Sequence, residues 1–412
     1  MAPARSRWPA VLCWLTVLLE GYDLVALGAT IPTVLRSGYL GFTPAGATAV
    51  ATISLCGVAV GAACVGPLAD RFGRRALLLA SVLAFSVFTL LTPLAPTVPV
   101  FGVLRFLAGL GLGACMPVAL TVMSEHLSEA KRASASTLTM TGYHVGAVLT
   151  SVLALVVVED WEILFYAGGI VGLLVLPVMW FRLPESAAFL AAKGKARERR
   201  TVLSPRYRRA SIAAWVGSFM GLLLVYGLNT WLPQLMRTAG YAMSTSLTLL
   251  LVLNVGAVLG LLLAGRVADR RGIKPTALVW FAAGAILLAV LSLRIGSTLL
   301  LNAAVLLTGV FVFSAQVLIF GYVAKTFPTE TRGTALGMTS AIGRLGAILG
   351  PFVTGALVTA GVAYPWGFWF FSAVALLGLA AMSFAPVAQA APDEAHASPA
   401  HPRGREQRRQ SP

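Results

Sequence analysis

Gly66-Pro-Leu-Ala-Asp70-Arg71-Phe-Gly73-Arg74-Arg75 returns, altered but legible, as Gly265-Arg-Val-Ala-Asp269-Arg270-Arg-Gly272-Ile-Lys274. Each copy follows a long apolar run, and the two stand about 200 residues apart, the mark of an internal duplication. The same spacing relates Arg132 to Arg332 and Gly146 to Gly346. A charged, glycine-bearing segment repeated at the ends of apolar runs predicts two similar halves.

The runs themselves select the element type. Hydrophobic residues make up 58% of the 412, charged residues only 11%, and the mean hydropathy is +0.84. Soluble chains are about one quarter charged. Runs of about twenty apolar residues match a hydrocarbon core of about 30 Å, and backbone groups in lipid must be bonded within a helix or a closed barrel. The runs are continuous rather than alternating, which selects helices. Twelve spans are predicted, at 9–34, 46–66, 76–95, 98–124, 134–157, 162–182, 210–235, 246–265, 275–293, 297–323, 334–359 and 364–386. The expectation is an all-α membrane protein of two pseudo-symmetric six-helix bundles, 1–182 and 210–388. A basic cytoplasmic linker, 183–209, joins them, and a disordered cytoplasmic tail, 389–412, follows.

The formal net charge of +16 raises the question of a nucleic-acid partner, and its distribution answers it. Most Lys and Arg fall at one set of span ends, in the 71–75, 131–132, 182–209, 266–274 and 403–409 stretches. Arg36, Arg237 and Arg294 fall opposite, and Arg105 and Arg344 lie inside spans. This is the positive-inside bias, which places both termini and the long middle loop in the cytoplasm; the expected location is the cell's inner (plasma) membrane. Cys13, Cys56, Cys64 and Cys115 all lie in apolar spans, so no disulfide framework is expected. Glu20 and Asp23 interrupt the first run, which is read as a retained span rather than a cleaved signal.

The repeated loop resembles the signature of the major facilitator superfamily, over residues 8–386. Within it, Glu20-Gly21-Tyr22-Asp23, Pro184-Glu185-Ser186 and Tyr226-Gly-Leu-Asn229-Thr-Trp231-Leu-Pro233 resemble the aromatic acid:proton symporters. The resemblance implies the major facilitator fold and proton-coupled import of a small aromatic carboxylate such as benzoate or a hydroxybenzoate.

Charges inside spans cost ~2.5–3.5 kcal/mol each on insertion scales and therefore mark function. Glu20 and Asp23, three apart, share one helical face. Asp23 and Arg105 fall at similar depth, the latter ~10 Å from the outer end of its span. An Asp23–Arg105 pair is a candidate proton switch, the alternative being a static ion pair that fixes packing; Glu20 is a candidate proton site or a polar group of the substrate cavity. Arg344, ~15 Å deep with no acid on its own helix, is a seat for a carboxylate; the alternative is an ion pair with Glu20 or Asp23. The repeat maps Arg344 onto His144, a candidate hydrogen-bonding or relay group. Tyr22, Tyr226, Asn229 and Gln316 are candidates to stack on or orient a ring. Gly66, Asp70, Arg71, Gly73 and Arg74, with Asp269, Arg270 and Arg332, are candidate gating residues. Here Gly66 and Gly73 are expected to turn the chain, and the arginines to meet acids such as Glu125 or Glu129.

No Gly-x-x-x-x-Gly-Lys-Ser/Thr loop, His-Glu-x-x-His motif or Gly-x-Ser-x-Gly elbow occurs, so no ATP-driven pump, metal centre or hydrolase is expected. The expected partners are a small aromatic carboxylate, protons and the lipid bilayer, with no cofactor and a monomeric carrier. Two other readings fit the same residues. One is an exporter or exchanger of another organic anion or drug. The other is a ligand sensor derived from a carrier.

Overall fold

The computed structural model describes residues 8–126, 132–185 and 203–387. Among them are twelve helices long and apolar enough to cross a membrane. They are α1 Trp8–Ser37, α2 Pro44–Phe72, α3 Arg74–Leu91, α4 Val98–His126, α5 Arg132–Val156 and α6 Glu162–Arg182. The second six are α7 Arg208–Thr238, α8 Met243–Arg271, α9 Ile273–Leu291, α10 Thr298–Thr326, α11 Thr329–Thr359 and α12 Ala363–Phe384. The expected tail and most of the expected linker lie outside the described residues.

Packing repeats the sequence symmetry. Within the first half α1 packs on α5, α2 on α4 and α3 on α6; within the second, α7 packs on α11, α8 on α10 and α9 on α12. The halves meet through α1 with α7, α2 with α11 and α5 with α8. Close approach explains the paired glycines. A Cβ on Gly146 would stand 1.9 Å from the Leu18 carbonyl oxygen, and one on Gly346 would stand 2.0 Å from that of Phe219. Only a residue without a side chain lets α1 meet α5, and α7 meet α11, at that distance. Large apolar side chains such as Leu174, Phe181 and Leu299 point outward, as a lipid-facing surface requires.

The repeated charged segment differs from its expected form. Gly66 is helical and α2 continues to Phe72, so the turn falls on Gly73 alone (φ 91°, ψ 159°). Gly272 (φ 88°, ψ 149°) makes the matching turn between α8 and α9. A side chain is strained at such φ, which is why glycine recurs there. Past the turn, Glu185 Oε1 accepts from the backbone N–H of Arg74 (2.9 Å) and Arg75 (3.2 Å), capping α3 with a carboxylate where the helix dipole favours one. The second half uses a cation instead: Lys274 Nζ donates to the Ser383 and Ala385 carbonyls at the end of α12.

Candidate functional site

A cavity of about 620 Å³, its open mouth included, lies between the halves. Its floor is formed by Tyr143 and Tyr226, whose side chains approach each other across the interface. From there the lining extends through Arg344 and Ser340 of α11, His144 and Met140 of α5, and Gln316 and Phe320 of α10. Those helices run toward the ends that carry the 71–75 turn, called here the basic face. On the opposite side of the tyrosines the halves touch directly. A Cβ on Gly28 would meet the Asn229 carbonyl oxygen at 2.3 Å, and one on Gly355 would meet the Thr48 side chain at 2.1 Å. The cavity therefore opens toward the basic face and is closed away from it.

Arg344 is the single charged residue of this lining among the described residues. Nη1 donates to the Tyr226 hydroxyl at 3.4 Å, a long bond that leaves most of the guanidinium fork uncommitted. Glu20 interacts with Arg344 electrostatically across the interface. It is fully buried, its carboxylate has no side-chain hydrogen-bond partner, and the Met116 backbone lies beside it. His144 is held edge-on between the rings of Tyr143 (centroids 5.2 Å apart) and Phe313 (5.7 Å). Gln316 Nε2 donates to Ser218 Oγ at 2.9 Å.

The second centre lies within the first half. Arg105 Nη2 and Nη1 donate to Asp23 Oδ2 (2.7 Å) and Oδ1 (3.1 Å), while Thr89 Oγ1 donates to Oδ1 at 2.7 Å. Both partners are buried, and Arg105 also lies over the Phe165 ring, 5.5 Å from its centroid. This bidentate pair joins α1 to α4 and is removed from the open cavity. Arg105 instead borders a small void with Ser54, Asn229, Tyr143 and Tyr226, on the closed side of the tyrosine floor.

The remaining candidates divide by where their side chains go. Asn229 belongs to that void, its Oδ1 accepting from Asn254 Nδ2 at 3.1 Å. Tyr22 is turned away from the cavity: its hydroxyl donates to the Leu164 carbonyl at 3.0 Å and its ring lies against Gly168 of α6. Arg71 lies over the Phe72 ring, and Asp269 and Arg270 are exposed. The side chains of Asp70, Arg332 and Glu125, and all of Glu129, lie outside the described set. Thr89, Phe313 and Ser340 were not singled out from sequence, and nothing there distinguishes them from the other threonines, phenylalanines and serines of the spans.

Twelve helices in two halves of matching packing around one central cavity are the arrangement of a membrane carrier. The family model described as Major Facilitator Superfamily matches residues 13–314 and 250–410. A gentisate transporter of Corynebacterium glutamicum is 36% identical over 392 residues, covering 92% of this chain and 87% of that protein. A gallate transporter of Pseudomonas putida is 31% identical over 408 residues (91% and 89%). A benzoate transport protein of Acinetobacter baylyi is 31% identical over 409 (90% and 87%). A crystal structure of a D-xylose-proton symporter shares the fold with a TM-score of 0.78 at 18% identity, covering 94% of this chain and 99% of that one. The chain belongs to the major facilitator superfamily and, within it, to the family of aromatic-acid transporters.

Proposed function

We propose that this carrier imports a small aromatic monocarboxylate together with protons, by alternating access, across the inner membrane. The observation that carries the reading is Arg344, a guanidinium with free donors in a cavity walled by Tyr143, Tyr226, Phe313 and Phe320. A carboxylate fits the guanidinium fork, and an aromatic ring fits the walls. A dicarboxylate would leave its second charge without a partner there, a costly arrangement in a poorly hydrated site. The named substrates of the relatives, gentisate, gallate and benzoate, are aromatic carboxylates and support the same class.

On this reading the basic face is cytoplasmic, with both termini on that side, and the cavity described above is the inward-open state. Asp23, sealed with Arg105, and Glu20, beside Arg344, handle protons. Protonating Asp23 releases Arg105 and loosens the α1–α4 tie; substrate and Glu20 share the field of Arg344. The turns at Gly73 and Gly272, with Arg71, Arg74, Asp269 and Arg270, form the hinges on which the halves rock.

The test is uptake of labelled benzoate and 4-hydroxybenzoate into vesicles, with and without an inward proton gradient. Gradient-driven accumulation of either acid is expected. Accumulation only when the gradient is reversed to outward would make the protein an exporter, and binding without turnover would make it a sensor.

A further inference from the structure

Arg344 and His144 occupy matching positions of the two halves, on α11 and α5, and both line the cavity. A ring that places its carboxylate on Arg344 must present its other substituents to the remaining polar groups. His144 is the best placed of these. It is 7% exposed, it is clamped edge-on by Tyr143 and Phe313, and its Nδ1 has no hydrogen-bond partner. Among the described residues no acid pairs with it. An imidazole without a carboxylate partner offers one donor and one acceptor nitrogen. A phenolic hydroxyl can pair with either nitrogen, donating to the acceptor or accepting from the donor; an unsubstituted ring can pair with neither. The buried polar atom that goes unpaired beside the wrong ligand is the usual origin of such selectivity.

Gln316 stands differently. Its Nε2 is committed to Ser218, and its Oε1 lies so close to Gly221 that a Cβ there would be 2.2 Å away. The amide nitrogen is held by Ser218, and the oxygen, although unpaired, is turned onto Gly221 of α7, which leaves substituent reading to the imidazole.

We propose that His144 is the specificity-determining residue of this carrier, selecting ring-hydroxylated benzoates over benzoate by hydrogen bonding the hydroxyl. The inference rests on the carboxylate reading at Arg344. One net hydrogen bond corresponds to about tenfold in affinity.

The experiment measures initial uptake of benzoate, 3-hydroxybenzoate and 4-hydroxybenzoate by purified protein in proteoliposomes, as kcat/KM. The wild type is expected to favour one hydroxylated acid over benzoate by about tenfold. His144→Phe, which keeps an aromatic ring in the clamp, should bring that ratio to about one, whatever its absolute rate. His144→Asn, which restores a donor and an acceptor, should recover part of it. The proton-driven accumulation ratio of benzoate is the second readout: its loss in His144→Phe would assign His144 to proton relay and overturn the proposal. A ratio unchanged in His144→Phe, or equal transport of the three acids by the wild type, would overturn it too and leave the carboxylate reading standing. Failure of the wild type to move any of the acids would sink both.

Discussion

At the residue scale the two guanidinium groups buried among the described residues are kept apart and given different company. Arg105 is fully matched by Asp23, with Thr89 taking a further place on the carboxylate. Arg344 has one long bond and an open cavity. Removing one member of a buried pair leaves the other charge uncompensated, at about 3–5 kcal/mol. Asp23→Asn should therefore lower stability by about that much in a detergent denaturation series, and Asp23→Asn with Arg105→Met should lower it less. If Asp23 is the coupling acid, Asp23→Asn should also abolish gradient-driven accumulation while sparing substrate exchange; retained accumulation excludes the role. Arg344→Lys keeps the charge and loses the planar fork. It should raise KM about tenfold or more, measured by uptake at varied substrate concentration, with protein yield unchanged. A KM close to wild type would remove Arg344 from carboxylate binding.

At the scale of the helices, position is set by backbone contact. Gly146 brings α5 onto α1, and nothing at the contact can yield, because the opposing atom is a main-chain oxygen. Gly146→Leu should separate the helices by more than a membrane bundle tolerates and appear as loss of folded protein in size-exclusion profiles. Substitution at Gly73 acts through dihedral strain instead. Gly73→Ala holds a side chain at φ 91° and should cost about 1–3 kcal/mol by thermal melting. The cap that Glu185 gives to α3 is not evident in the linear chain, where the acceptor stands 111 residues from the donor it caps at Arg74.

At the scale of the whole molecule, the two halves close at one end and part at the other. That asymmetry is testable with thiol chemistry. Cys13 and Cys115 are buried. In a variant with Cys56 and Cys64 replaced by Ser, a cysteine at Ser340 should react with an impermeant maleimide from the basic face and not from the other. Saturating substrate should slow that labelling severalfold by filling the cavity. Equal labelling from both faces would contradict the closed contact of Gly28 with Asn229 and of Gly355 with Thr48.

The helical class and the number of spans were legible in the sequence because membrane insertion is a local, additive problem. Each apolar run must be long enough by itself, and each must bond its own backbone, so span number and helix type follow from composition alone. The duplicated segment made the two halves visible for the same local reason. The pairing of Asp23 with Arg105 was within reach too, since two rare charges at one depth have few other partners. The tertiary structure decided the rest. It turned Tyr22 to α6, placed Asn229 behind the tyrosine floor, kept Gly66 helical, and brought His144, Phe313, Tyr226 and Arg344 around one cavity. Which face of a helix meets which neighbour depends on every other contact of the bundle, and no residue carries that information by itself.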